Sequence, residues 1–260
     1  MKALITGASS GIGRDMARYL SKKGIDLIAV ARDKEALIDL KNELNNIDVK
    51  VIDLDLSIEE NCLNLYEQTK NDGVDILINN AGFGVYGEFR ETPLEKELKL
   101  IDTNIKAVHI LTKLFLNDMI DKENKYILNT ASIAGFFSGP LMSSYYGSKA
   151  YVIHLSRAIK EELRRKKSKV SISILCPGSV ATKFNESANR TSSLKTLTSD
   201  YVAKYAIDKM FEKKFVIIPG MKSKFLKAIT KILPDGLVTK ILYNIQNNKG
   251  VTDEKHSNNR

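Results

Sequence analysis

The chain has 260 residues, 43% of them apolar and 27% charged. That balance suits one folded domain with a sizeable core and excludes a wholly disordered chain. Lys and Arg outnumber Asp and Glu by 40 to 31, and Met221 to Arg260 holds eight of the cations but only three of the anions, so more than half of the +9 net charge sits in the last forty residues.

No zinc-finger or RNA-binding motif accompanies that excess, so nucleic acid is not an expected partner. Cys62 and Cys176 are far apart in sequence and form no CxxC pair, which argues against a disulfide framework or a zinc site. The strand-like Ala3-Leu4-Ile5 follows Met1 almost directly, and no apolar run reaches the ~18 residues of a membrane span. A cytoplasmic protein is expected.

Taken in chain order, short apolar runs at 3–6, 26–31, 49–53, 76–79, 126–131, 170–175 and 215–218 alternate with longer segments of helical period. This is the pattern of an α/β fold: a doubly wound sheet of about seven parallel strands with helices on both faces. In such sheets ligands collect beyond the carboxyl ends of the strands. Residues 1–220 are expected to form that body, 221–247 a basic amphipathic helical extension of it, and 248–260 a disordered tail.

The first strand runs into Thr6-Gly7-Ala8-Ser9-Ser10-Gly11-Ile12-Gly13, and a helical stretch through Met16, Ala17 and Leu20 follows. Glycines let the backbone turn tightly against a pyrophosphate, and the helix N-terminus supplies free N–H groups. The spacing TGxxxGxG, rather than GxGxxG, resembles the short-chain dehydrogenase/reductase family, whose fold is Rossmann-type. A later run, Gly82-Phe83-Gly84-Val85-Tyr86-Gly87, does read GxGxxG, but no helix is expected to open after it until near Pro93, so it is set aside as a decoy.

The second strand ends at Ala31, followed by Arg32, where a carboxylate would bind the ribose 2′-hydroxyl and repel a 2′-phosphate. This favours NADP(H) over NAD, as the resemblance also implies; Asp33 competes as a ribose ligand or serves as a helix cap. The resemblance further implies adenine contacts at Asp55 and Leu56, with Asp53 as the alternative. Asn79-Asn80-Ala81-Gly82 matches the family's NNAG motif, which lines the cofactor. After the sixth strand, Pro177, Gly178, Val180 and Thr182 match a PGxxxT segment that clamps the nicotinamide.

Tyr145 and Lys149 stand at i and i+4, on one face of a helix expected to begin near Ser143 or Ser144. A neighbouring ammonium lowers a phenol's pKa and lets it pass a proton. The pairs Tyr19/Lys23, Tyr66/Lys70 and Tyr205/Lys209 share the spacing, but only Tyr145/Lys149 follows a strand ending in Asn129-Thr130-Ala131-Ser132. The resemblance implies an Asn-Ser-Tyr-Lys constellation of Asn104, Ser132, Tyr145 and Lys149: Ser132 on the substrate oxygen, Asn104 supporting a water near the lysine, and Tyr145 and Lys149 also touching cofactor. His109, His154 and His256 receive no catalytic role, and no metal site is read.

The implied reaction is hydride transfer between nicotinamide and a ketone or secondary alcohol. Apolar runs at 133–137 and 140–142 suggest a bulky hydrophobic substrate of hydroxysteroid or 3-ketoacyl type. A non-catalytic NADPH-binding regulator is the alternative. Residues 183–199 resemble the family's mobile substrate lid. No DGG signature follows Val216 to Gly220, so a dimer is expected rather than a tetramer of that type. Phe225, Leu226, Ile229, Ile232 and Leu233, then Leu237, Val238, Ile241, Leu242 and Ile245 after a Pro234-Asp235-Gly236 turn, suggest two amphipathic helices. They would cover the domain or a partner subunit, dock on an anionic membrane, or wall the substrate pocket.

Overall fold

Aliphatic runs buried on both faces set the centre of the molecule, a seven-stranded, all-parallel sheet in a computed structural model that describes residues 1–182, 196–229 and 233–257. The elements in chain order are β1 Lys2–Thr6, α1 Gly11–Ser21, β2 Asp26–Ala31, α2 Lys34–Glu43, β3 Val49–Asp53, α3 Glu59–Thr69, β4 Ile76–Asn79, α4 Leu94–Ile101, α5 Val108–Met119, β5 Tyr126–Thr130 and α6 Ser143–Arg165. There follow β6 Ser171–Leu175, β7 Val180–Ala181, β8 Leu197–Thr198, α7 Ser199–Phe211, β9 Val216–Ile217, α8 Met221–Ile229 and α9 Asp235–Ser257. Each of the seven expected strands is present, within one residue of its expected bounds.

The sheet order is β3-β2-β1-β4-β5-β6-β9. The chain begins in the middle, winds outward to β3 and returns to lay β4 on the other side of β1. That reversal opens a crevice beyond the carboxyl ends of β1 and β4. Ala3, Leu4 and Ile5 of β1 and Ile76, Leu77 and Ile78 of β4 have no exposed surface, because helices cover both faces. Met16, Leu20, Leu37, Ala206 and Ile207 pack on one face from α1, α2 and α7. Cys62, Leu65, Leu111, Phe115 and Leu163 pack on the other from α3, α5 and α6. Cys62 and Cys176 are free, buried thiols, pushed up to about 11 and about 12 by that burial, so both act as packing groups.

Four features depart from the sequence expectation. A wide π turn at Asp102–Ala107 joins α4 to α5, and a short 3₁₀ turn at Ile133–Phe136 follows β5; apolar periodicity does not register single turns of either kind. Of the expected lid, 183–195 lies outside the described residues. Its end is regular structure: β8 pairs with β7, and Thr198 caps α7 by accepting from the Tyr201 N–H at 3.3 Å. Finally, α9 continues to Ser257, well past residue 248, where order is expected to cease. No proline follows Pro234, and Gly250 alone is too weak a breaker to end the helix.

The strand ends beside the crevice are tied by side chains as well as backbone. Asn79 donates to Asn129 Oδ1 at 2.8 Å and to Thr112 Oγ1 at 3.0 Å, and Asn129 donates to Ser156 Oγ at 3.0 Å, all buried. Removing a partner from such a network leaves the others desolvated. Asn129→Ala should therefore lower unfolding stability by about 2 to 3 kcal/mol, measured by denaturant titration; a loss within error of zero would show that the network does not hold β4 to β5 and α6.

Candidate active site

The glycine loop is too crowded for side chains. Gly7 and Gly11 have φ of 68° and 54°, and a Cβ on Gly13 would stand 2.2 Å from the Gly7 carbonyl oxygen and 2.5 Å from Asn80 Nδ2. Thr6 ties the loop to β4: its hydroxyl donates to the Ile78 carbonyl at 3.4 Å and accepts from the N–H groups of Asn80 and Ala81 at 2.9 and 3.1 Å. Asn80 returns two bonds, to the carbonyls of Thr6 and Gly7 at 3.2 and 3.3 Å. The start of α1 has no side-chain cap from Ser10 and no acidic residue in its first turn. Its leading N–H groups and positive dipole end thus suit a pyrophosphate, with Ser9, Ser10 and Ile12 at the rim. Across the crevice, a Cβ on Gly11 would stand 3.0 Å from Thr182 Cγ2, so the PGxxxT segment closes on the loop.

At the end of β2, Ala31 is buried and the Arg32 side chain is 67% exposed, its Nη1 3.9 Å from Asp55 Oδ2. Asp33 caps α2, accepting from the Ala36 N–H at 3.0 Å. Partial burial pushes the Asp55 carboxyl up, but hydrogen bonds from the Ser57 N–H and hydroxyl, with Arg32 nearby, outweigh it and hold the group below its usual range. The Leu56 side chain points into the core beside Cys62, so it is not a wall of the crevice. Lys34, which sequence reasoning passed over, lies 3.9 Å from Asp53 and adds a second exposed cation beside Arg32.

The four expected catalytic residues come from three elements: the π turn, the start of the 3₁₀ turn after β5, and α6. Asn104, with no exposed surface, sits in the π turn and grips Phe83 at both ends, accepting from its N–H at 3.1 Å and donating to its carbonyl at 2.9 Å. It also donates to Ser148 Oγ at 3.1 Å, and Ser148 donates to the Tyr145 carbonyl at 2.7 Å. Asn104 is thereby linked to α6. Ser132 caps the 3₁₀ turn, accepting from the Ala134 N–H at 3.1 Å, and donates to the Pro177 carbonyl at 3.4 Å. Lys149 Nζ donates to the Thr130 carbonyl at 3.0 Å and lies 5.8 Å from the centre of the Tyr145 ring. A Cβ on Gly82 would stand 2.8 Å from Asn104 Oδ1 and 3.4 Å from Lys149 Nζ, so only glycine fits between them.

The other Tyr/Lys pairs engage carboxylates instead. Tyr19 donates to Asp208 at 2.8 Å, Tyr66 to Asp118 at 3.1 Å, and Lys70 and Lys209 pair with Glu67 and Glu212. His109 Nδ1 meets the Tyr151 hydroxyl at 2.7 Å, away from the strand ends. Sequence reasoning missed the Thr130 carbonyl, Ser148 and a contact across the chain: Tyr86 donates to the Gln246 carbonyl at 2.9 Å, and Gln246 Nε2 donates to the Tyr146 hydroxyl at 3.4 Å. Nothing in local spacing reveals a bond between residues so far apart.

The reversal of the sheet beside β1 and the glycine loop at its carboxyl end form a crevice suited to a dinucleotide. The short chain dehydrogenase family model matches residues 1–193, and the chain belongs to that family. A curated relative, a very-long-chain 3-oxoacyl-CoA reductase of Mycosarcoma maydis, is 32% identical over 66% of this chain, and the chain spans about half of that relative's length (51%). Among solved structures, a short-chain dehydrogenase of Sphingobium yanoikuyae in complex with NADPH aligns with a TM-score of 0.80 at 26% identity, over 90% of this chain and 96% of the other. A Burkholderia phymatum family member in complex with NAD aligns with a TM-score of 0.79 at 26% identity, over 87% and 91%. A bulky-bulky ketone specific alcohol dehydrogenase of Comamonas testosteroni aligns with a TM-score of 0.76 at 26% identity, over 90% and 94%.

Burial lowers the pKa of Lys149 to about 8 from 10.5. Between these values the unfolded chain binds a proton that the folded one has released, so stability without cofactor rises with pH across that window. The rise amounts to roughly 3 kcal/mol. Lys149→Met should abolish this share of the pH dependence in denaturant unfolding run at pH values from neutral to alkaline; identical slopes for both proteins would contradict it.

Proposed function

We propose that the enzyme transfers a hydride between NADP(H) and a bulky hydrophobic ketone or secondary alcohol, with Tyr145 as the proton-transferring acid or base. The observation that carries the reading is the Lys149 ammonium, buried between the Thr130 carbonyl and the Tyr145 ring. A positive charge there stabilises the phenolate and brings the phenol's proton within reach near neutral pH. The nicotinamide supplies the hydride.

The chain's own residues do the rest. Ser132 holds the substrate oxygen beside the Tyr145 hydroxyl, and Asn104 keeps the Phe83 loop and α6 in register around Lys149. Pro177, Gly178, Val180 and Thr182 orient the carboxamide end, while Gly7, Gly11 and Gly13 receive the pyrophosphate. Asp55 and the backbone at Leu56 flank the adenine, and Asn80, Ala81 and Gly82 line the crevice floor. Phe136 lies under Lys227 and Arg157, at 4.9 and 5.7 Å, and Met142 is buried, so the apolar wall falls to Ile133, Phe137 and Leu141. The ketone specificity of the Comamonas enzyme and the 3-oxoacyl chemistry of the Mycosarcoma relative accord with such a wall.

The choice of NADP(H) rests on Arg32. No carboxylate stands at the end of β2, and the exposed guanidinium presents a planar fork to a 2′-phosphate, with Lys34 beside it. NADPH should bind at least about tenfold more tightly than NADH, and Arg32→Ala should erase the difference. Cofactor fluorescence titration decides this, and an unchanged preference in the variant would defeat the assignment.

Tyr145→Phe should cut kcat by several powers of ten while leaving NADPH affinity within about twofold, since only the hydroxyl is lost. The readout is NADPH absorbance against a panel of bulky ketones, with Tyr205→Phe as the control. A Tyr145→Phe enzyme that retains wild-type turnover would rule out this role.

A further inference from the structure

The last two helices are apolar on both sides. On α9, Val238, Leu242 and Gln246 recur at i, i+4 and i+8 on the side turned to the protein, where Gln246 is 1% exposed and receives the Tyr86 bond. One position round, Leu237, Ile241 and Ile245 recur at the same spacing, 47%, 43% and 44% exposed. On α8, Ser223 packs against Gly178 and Lys227 lies over Phe136, while Met221 and Phe225 are 77% and 69% exposed. The residues that hold the two helices follow β4, β5 and β6. Both helices therefore cover the same edge of the sheet and turn their outer faces away from it.

Cations surround these outer faces. Lys222, Lys224 and Lys240 are exposed, and Asp235 is the only carboxylate among the described side chains of α8 and α9. Large apolar groups half in water beside lysines match an anionic lipid surface, where the chains enter the headgroup region and the ammonium groups meet phosphate. A second copy would set lysines against lysines. Among the described residues no helix is long and apolar enough to cross a membrane, so the contact is peripheral.

We propose that the outer face of α8 and α9 docks the enzyme on the surface of an anionic bilayer. The docking does not depend on which carbonyl is reduced. The test is sedimentation of the full chain with vesicles of phosphatidylcholine containing phosphatidylglycerol, against phosphatidylcholine alone. The protein should pellet with the anionic vesicles, stay free of the neutral ones and be released as salt rises.

The double variant Phe225→Asp/Ile241→Asp, at exposed positions, should bind at least about tenfold more weakly with cofactor affinity unchanged, and Lys222→Glu/Lys240→Glu should do the same without touching an apolar group. Wild-type protein that ignores both vesicle types, or binds them equally, overturns the proposal. So does a drop in particle size on Phe225→Asp/Ile241→Asp with no vesicle binding by the wild type, which would assign the face to a second copy.

Discussion

An ammonium group loses most of its hydration when it is buried, and the Lys149 ammonium is nine-tenths or more buried where β5, α6 and the loop after β4 meet. Such a charge persists only if the surroundings hold it in place and offer oxygen. The Thr130 carbonyl does so from the last residue of β5, and the start of α6 at Ser143 decides which turn of the helix faces it. Gly82 leaves room above the ammonium, and Asn104 prevents the Phe83 loop from closing that room. The glycine loop is coupled to the same framework through Thr6 and Asn80, which tie β1 to the end of β4. A shift of β4 against β5 would disturb both ends of the crevice at once, which is why the buried amides of Asn79 and Asn129 matter beyond their own bonds.

Much of this was legible because its causes are local or periodic. Ala3 to Ile5 and Ile76 to Ile78 read as central strands because both faces are covered, and the glycine loop reads as a phosphate site because a strand precedes it and a helix follows. The glycines from Gly82 to Gly87 share the letters of a nucleotide loop without that setting: Asn104 clamps Phe83, and the next helix waits until Leu94. The strand before Tyr145 sets it apart in sequence from Tyr19, Tyr66 and Tyr205, whose pairs engage carboxylates in the folded chain.

Other features were hidden because they depend on residues distant in sequence. The π turn that sets Asn104 has no signature in apolar spacing. That Leu56 faces inward and Phe136 lies under Lys227 is decided by helices that arrive later in the chain. The pairing of β7 with β8 involves two residues on each side, too few to register as alternation. The course of α9 to Ser257 is not legible in the polar composition of that stretch, where no residue strong enough to stop a helix stands.

The position of Gln246 has a wider consequence. The glycine loop and the Tyr145–Lys149 pair precede Thr182, yet Tyr86 and Tyr146 are joined through Gln246, which offers its main-chain carbonyl to the first and its side-chain amide to the second. The loop after β4 and the start of α6 are thus held to each other by a residue of α9, 160 and 100 positions further along the chain. A substitution confined to α9 therefore reaches the loop after β4 and the start of α6 without altering any residue of the glycine loop or the Tyr145–Lys149 pair.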